Sequence, residues 1–150
     1  MEYKEPHTNG ALAAICTNLS KACDKQMRPT EAGLFDKLAS YFSQSAGVAG
    51  PVSINDLDAN IAADTESGYI AVERRAQQVG DRGALRCVTW GKKVTAIHKS
   101  VLVRYAKQGD ALMEGSNLYV CEACGFIAIA KEVPGLCPIC KAPASRFTKI

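Results

Sequence analysis

Cys121-Glu122-Ala123-Cys124-Gly125 and Cys137-Pro138-Ile139-Cys140 are two Cys-x-x-Cys knuckles with twelve residues between them. Two residues between cysteines let both sulfurs of a tight turn point to one side, and two such turns face to face make a tetrahedral cage of four thiolates. Such cages hold zinc or iron. Gly125, directly after the first pair, allows a positive φ that turns backbone N–H groups toward the sulfurs. Pro138 stiffens the second turn, and Gly135 helps the chain reverse into it. Two disulfides, or four buried reduced cysteines, would not call for a doubled Cys-x-x-Cys. The expected metal ligands are therefore Cys121, Cys124, Cys137 and Cys140.

Around the knuckles the chain reads Tyr119-Val120-Cys121-Glu122-Ala123-Cys124-Gly125-Phe126, then Val133-Pro134-Gly135-Leu136-Cys137-Pro138-Ile139-Cys140, then Pro143-Ala144-Ser145-Arg146-Phe147. This pattern resembles the rubredoxin-like C-terminal domain of rubrerythrins. An aromatic follows the first knuckle and its glycine, Pro and Leu precede the second, and Pro with Phe close the segment. The resemblance implies a single iron that passes one electron at a time, with zinc as the substitute that four thiolates also accept. Lys141 stands where a glycine often follows the second knuckle.

Charge gives the segment a logic of its own. Four thiolates leave one net negative charge with ferric iron and two with ferrous iron, so nearby cations favour the reduced form. Lys131, Lys141, Arg146 and Lys149 face only Glu122 and Glu132 in this stretch. That excess can raise the potential or dock an acidic donor.

A tail of this length cannot bury enough apolar surface alone, and metal supplies the missing folding energy. The main core must lie in the earlier part of the 150 residues. Net charge is +3, and before residue 116 there are 14 basic and 13 acidic residues, with no long basic run. Nucleic-acid binding is not suggested. No apolar run approaches the ~18 residues of a membrane span, and Met1-Glu2-Tyr3-Lys4-Glu5-Pro6 lacks the order of a signal peptide. Seven cysteines, four of them in metal spacing, fit a reducing compartment, so the expected location is cytoplasmic. Cys16 and Cys23 are seven apart on one helical face. About 10 Å along the axis separates them, too far for a direct bridge.

In chain order, residues 1–8 read as a lead-in, residues 9–114 as a helical bundle domain and residues 117–150 as the metal domain. Thr8 or Asn9 can cap a first helix with Leu12, Ile15, Cys16, Leu19 and Cys23 on its buried face. Thr30 can cap a second, with Leu34, Phe35, Leu38 and Phe42. Gly47, Gly50 and Pro51 mark a loop. Ser53 or Asn55 can cap a third helix that runs through Leu57, Ile61, Tyr69, Val72 and Val79 to Gly80. A fourth begins after Asp81, carries Leu85, Val88, Val94, Ile97, Val101, Leu102 and Tyr105, and stops near Gly109. The expected fold is mainly α, an up-and-down bundle of four helices followed by a small metal-binding domain.

A rubredoxin-like tail behind such a bundle is the rubrerythrin order, and that resemblance implies a ferritin-like bundle with a di-iron site. Such a site needs several inward glutamates and Glu-x-x-His motifs. The chain has no Glu-x-x-His, and its two histidines are His7 and His98. Matched helix by helix, Glu31 stands at a ligand position but is followed by Leu34 where histidine is expected. Asp64 is followed by Ser67, and His98 replaces a glutamate and is followed by Val101. Glu31, Asp64 and His98 remain as donors for a residual metal site, too few for two irons.

Three functions compete. The first is a rubrerythrin-like electron carrier whose degenerate helical domain dimerises or docks a redox partner, a flavoprotein or an iron protein. The second is a non-haem iron peroxidase of rubrerythrin type. The third is a zinc-ribbon interaction or scaffold protein. No nucleophile elbow, phosphate loop or HExxH motif points to another enzyme.

Overall fold

A computed structural model describes residues 7–47 and 53–150. Most of the lead-in expected at 1–8, and Gly50 and Pro51 of the expected loop, lie outside the described residues. The chain forms two compact units, Met1–Pro51 and Val52–Ile150.

The first unit is a helical hairpin of α1 (Asn9–Lys25) and α2 (Pro29–Ser45). Thr8 caps α1 by accepting a hydrogen bond from the Ala11 N–H at 3.2 Å. The chain turns through Met27, at φ 57°, into Pro29 at the first turn of α2. There a proline's fixed φ suits the helix and its missing N–H costs nothing. The Asn9 side chain donates to the Ser45 carbonyl at 3.0 Å, which ties the start of α1 to the end of α2 and makes the pair antiparallel. The buried positions are small, Cys16, Ser20, Cys23 and Ala32, whereas Ile15, Leu19, Leu34 and Leu38 are exposed. Periodicity placed Cys16 and Cys23 on the buried face together with the large Ile15 and Leu19, and of these only the two cysteines are buried. Small side chains take the seam because they let two helix backbones approach closely.

The second unit opens with α3 (Ile54–Ala63), capped by Ser53, whose hydroxyl accepts from the Asp56 N–H at 3.0 Å. A π turn over Asp64–Gly68 joins it to α4 (Tyr69–Val79), with the Tyr69 N–H reaching back to the Asp64 carbonyl. Here the expected single third helix is broken. Thr65 and Ser67 donate their hydroxyls to the carbonyls of Ile61 and Ala63, at 2.8 and 2.9 Å, and so satisfy backbone groups around the widened turn. Gly80, at φ 68°, ends α4 in the left-handed conformation. The long α5 (Arg82–Gln108) starts at Asp81, whose side chain accepts from the Ala84 N–H.

Beyond a 3-10 turn at Gly109–Met113, three strands follow: β1 (Asn117–Cys121), β2 (Ile127–Ala130) and β3 (Phe147–Lys149). The sheet order is β2-β1-β3 with both pairings antiparallel, Tyr119 lying opposite Ala128 on one side and Lys149 on the other. Among the described residues no helix is long and apolar enough to cross a membrane.

Candidate metal centre

The first knuckle is the turn between β1 and β2, and the second lies in the excursion between β2 and β3. Both fold by the same local device. The Cys121 N–H donates to the Phe126 carbonyl at 2.8 Å and the Gly125 N–H to the Cys121 carbonyl at 2.7 Å. In the second knuckle the Cys137 N–H donates to the Ala142 carbonyl at 2.8 Å and the Lys141 N–H to the Cys137 carbonyl at 3.0 Å. Each loop turns through a left-handed residue after its second cysteine, Gly125 at φ 80° and Lys141 at φ 63°. Lys141 thus takes the conformation that glycine supplies in the first knuckle, and its ammonium donates to the Pro138 carbonyl at 3.1 Å.

These turns bring four sulfurs within 4.8 Å of one another. Cys121 and Cys140 sulfurs are 3.7 Å apart, and those of Cys124 and Cys137 are 3.6 Å apart. A metal–sulfur bond of ~2.3 Å gives a tetrahedron edges of about 3.8 Å, whereas a disulfide would need about 2.05 Å. The donor set therefore fits a tetrahedrally held zinc or iron. Cys121, Cys137 and Cys140 are fully buried, and only Cys124 is partly exposed. Ala123 and Ala142 complete the core, with Trp90, Phe126, Ile139 and Phe147 packed around it.

Without metal, four thiols this close compete for charge. The Cys121 thiol is held down at about 5, chiefly by the hydrogen bond from Cys124 and further by the N–H groups of Cys124 and Ala123, against the opposing effect of burial. Cys124 is pushed up, first by that same bond to Cys121 and then by burial, while the Phe126 N–H works in the opposite direction. Burial pushes Cys140 up to about 11, against the Ala142 N–H. Cys121 is thus a thiolate beside the protonated Cys124 and Cys140, and a metal ion displaces their protons.

Of the other candidate donors, Glu31 and His98 have partners of their own. Glu31 pairs with Arg28 at 2.9 Å in the first turn of α2. Its carboxyl is held below the ordinary range by its own backbone N–H and then by the Arg28 guanidinium. Asp64 opens the exposed π turn. His98, on α5, lies 2.7 Å from the Gly125 carbonyl through Nε2. Among the described residues the four cysteines are the one group of three or more His, Cys, Asp or Glu side chains positioned to share a metal. A cavity of about 560 Å³ opens between the π turn and α5, but Glu66 is its one carboxylate and it has no histidine or cysteine.

Two features escaped the sequence reading. Trp90 packs on the cysteine core, and His98 holds the first knuckle, although 27 residues separate it from Gly125. The spacing of Trp90, Val94 and His98 by four puts them on one face of α5, and that was the available signal.

Residues 119–148 match the family model described as rubrerythrin, rubredoxin-like domain. No curated protein sequence matches the chain. Among solved structures, fully reduced, all-ferrous nigerythrin aligns over 95% of this chain and 81% of that one, at 22% identity and a TM-score of 0.56. Partially reduced nigerythrin aligns over 95% and 80%, at 24% identity and the same TM-score of 0.56. Mixed-valence nigerythrin aligns over 98% and 88%, at 19% identity and a TM-score of 0.55. The fold class is accordingly mainly α, helices followed by a small three-stranded domain, in a fold similar to that of nigerythrin. Residues 119–148 form a rubredoxin-like domain of the rubrerythrin family, carried behind helices in a chain with the nigerythrin fold.

Proposed function

We propose that this protein is a one-electron carrier of rubrerythrin type, with one iron held by Cys121, Cys124, Cys137 and Cys140. The observation that carries the proposal is the four-sulfur cage inside a rubrerythrin-type domain. When bound, iron in such a cage supplies a ferric/ferrous couple with no open coordination position. The chain's own part is to hold four thiolates, aim backbone N–H groups at their charge, and exclude water with Trp90, Phe126, Ile139 and Phe147. Cys124, the one partly exposed ligand, marks the side open to a redox partner. Lys131, Lys141 and Lys149 favour an acidic partner surface, that of a flavoprotein or an iron protein. A homodimer and a cytoplasmic location complete this reading.

The carrier is preferred to a peroxidase because two of the three donors left in the helices are engaged elsewhere, Glu31 by Arg28 and His98 by Gly125. Leu34 and Val101 occupy positions where the resemblance calls for imidazoles. Metal content per chain, measured with the visible spectrum before and after dithionite, tests the proposal. One iron with a thiolate-to-iron band that bleaches on reduction is expected. About three irons, with peroxide-dependent oxidation of the reduced protein, would establish the peroxidase instead. Zinc alone, persisting after growth in iron-rich medium, would leave a structural ribbon.

A further inference from the structure

His98 stands outside the metal domain, on α5, yet it reaches one particular peptide group within it. Its Nε2 lies 2.7 Å from the Gly125 carbonyl oxygen. A carbonyl oxygen only accepts, so Nε2 carries the proton and donates. The same peptide group ends in the Phe126 N–H, which faces the Cys124 sulfur and stabilises its thiolate. The described peptide bonds are all trans, so carbonyl and N–H point to opposite sides of this unit. His98 therefore sits on one side of the peptide and a metal ligand on the other.

A donor on a peptide oxygen draws electron density from nitrogen into the carbonyl and makes the N–H a stronger donor, the cooperative effect seen along hydrogen-bond chains. Stronger N–H···S bonds stabilise charge on sulfur. One-electron reduction adds one negative charge to the centre, so the ferrous form gains more than the ferric. We propose that His98 is a positioning residue that raises the reduction potential of the centre by polarising the Gly125–Phe126 peptide. The helical part of the chain thereby tunes the metal it carries. Val94 completes the contact: a Cβ on Gly125 would lie 3.7 Å from its Cγ1, so Gly125 rests against the buried Val94 side chain.

The potential rests on the iron reading, but the polarised peptide does not, and two measurements keep them apart. In zinc-loaded protein, nitrogen NMR of His98 should show the proton on Nε2, and the Phe126 amide proton should resonate downfield. His98→Leu should move that amide proton upfield, His98→Gln should restore it through its own N–H, and Val94→Ala should leave it in place. In iron-loaded protein His98→Leu should shift the ferric/ferrous equilibrium about threefold toward ferric, about 30 mV at ~59 mV per tenfold change. His98→Gln should return it. An Nε2 without a proton in the unsubstituted protein, or an unmoved Phe126 amide in His98→Leu, would overturn the proposal. So would a Val94→Ala shift as large as that of His98→Leu, which would assign the effect to packing. Failure of the iron reading would show separately, as zinc-only metal content with the amide shifts intact.

Discussion

Lys141 sits at φ 63°, in the same left-handed turn that Gly125 makes in the other knuckle. An L-residue there has its Cβ close to the following carbonyl, at a cost of roughly 1–2 kcal/mol, and glycine has none. Against this, the Lys141 ammonium donates to the Pro138 carbonyl, an exposed bond that offsets only part of the strain. Lys141→Gly is expected to stabilise the metal-loaded domain by about 1 kcal/mol, read as a rise in the denaturant midpoint. A lower midpoint would mean that the lysine's contacts outweigh the strain. Cys124→Ser tests the opposite extreme. It removes one corner of the cage, and the expected result is loss of bound metal with most helicity retained.

At the scale of elements, most helix ends were legible and the helix irregularity was not; Thr30, expected as a cap, lies inside α2, which starts at Pro29 after Arg28. Ser53 and Asp81 cap α3 and α5, and Gly80 and Gly109 end α4 and α5, because local residues make those hydrogen bonds and turns. The π turn at Asp64–Gly68 has no such local mark. Leu57, Ile61, Tyr69 and Val72 keep an approximate helical period through it, so one extra residue in a turn hides within the pattern. Its consequence is long-range. Tyr69, the first residue beyond the turn, lays its ring on Gly91 of α5 and brings its hydroxyl within 2.6 Å of the Thr95 hydroxyl. A Cβ on Gly91 would fall 2.6 Å from the Tyr69 ring, so Gly91→Ala must displace the ring or separate the helices. Overpacking of this kind costs typically 1–3 kcal/mol, and a matching drop in unfolding free energy is expected. Thr95→Val, which leaves the tyrosine hydroxyl without that partner, should cost about 1 kcal/mol. A Gly91→Ala protein as stable as the parent would show that Tyr69 has another place to go.

The same contrast holds for the whole molecule. Doubled Cys-x-x-Cys spacing pointed to the four-sulfur cluster because each pair is a local turn, and the partnership of the two turns follows from the four donors that a tetrahedral metal takes. The small-residue seam of the first hairpin and the seating of α5 on the first knuckle depend on tertiary contacts, which spacing does not encode. Those contacts supply a readout for metal removal, since Trp90, the one tryptophan of the chain, packs on the cysteine core. Chelation should change Trp90 fluorescence and expose the core while far-UV helicity largely persists.

Proton release gives this prediction its pH dependence. In the metal-free cage Cys121 is held down at about 5, whereas burial pushes Cys140 up to about 11 and the bond to Cys121 pushes Cys124 up as well. At neutral pH Cys121 is already a thiolate, and Cys124 and Cys140 each hold a proton that the metal must displace. If the metal-free domain unfolds, its thiols ionise near ~8.5 and still hold their protons at pH 7. In both cases at least two protons leave per metal bound. Affinity therefore rises with pH and is lost on acidification, by at least about a hundredfold per pH unit near pH 7. Calorimetric zinc titrations in buffers of different ionisation enthalpy count these protons directly. Release of fewer than two would mean that the folded cage carries more thiolate charge than its burial and hydrogen bonds imply.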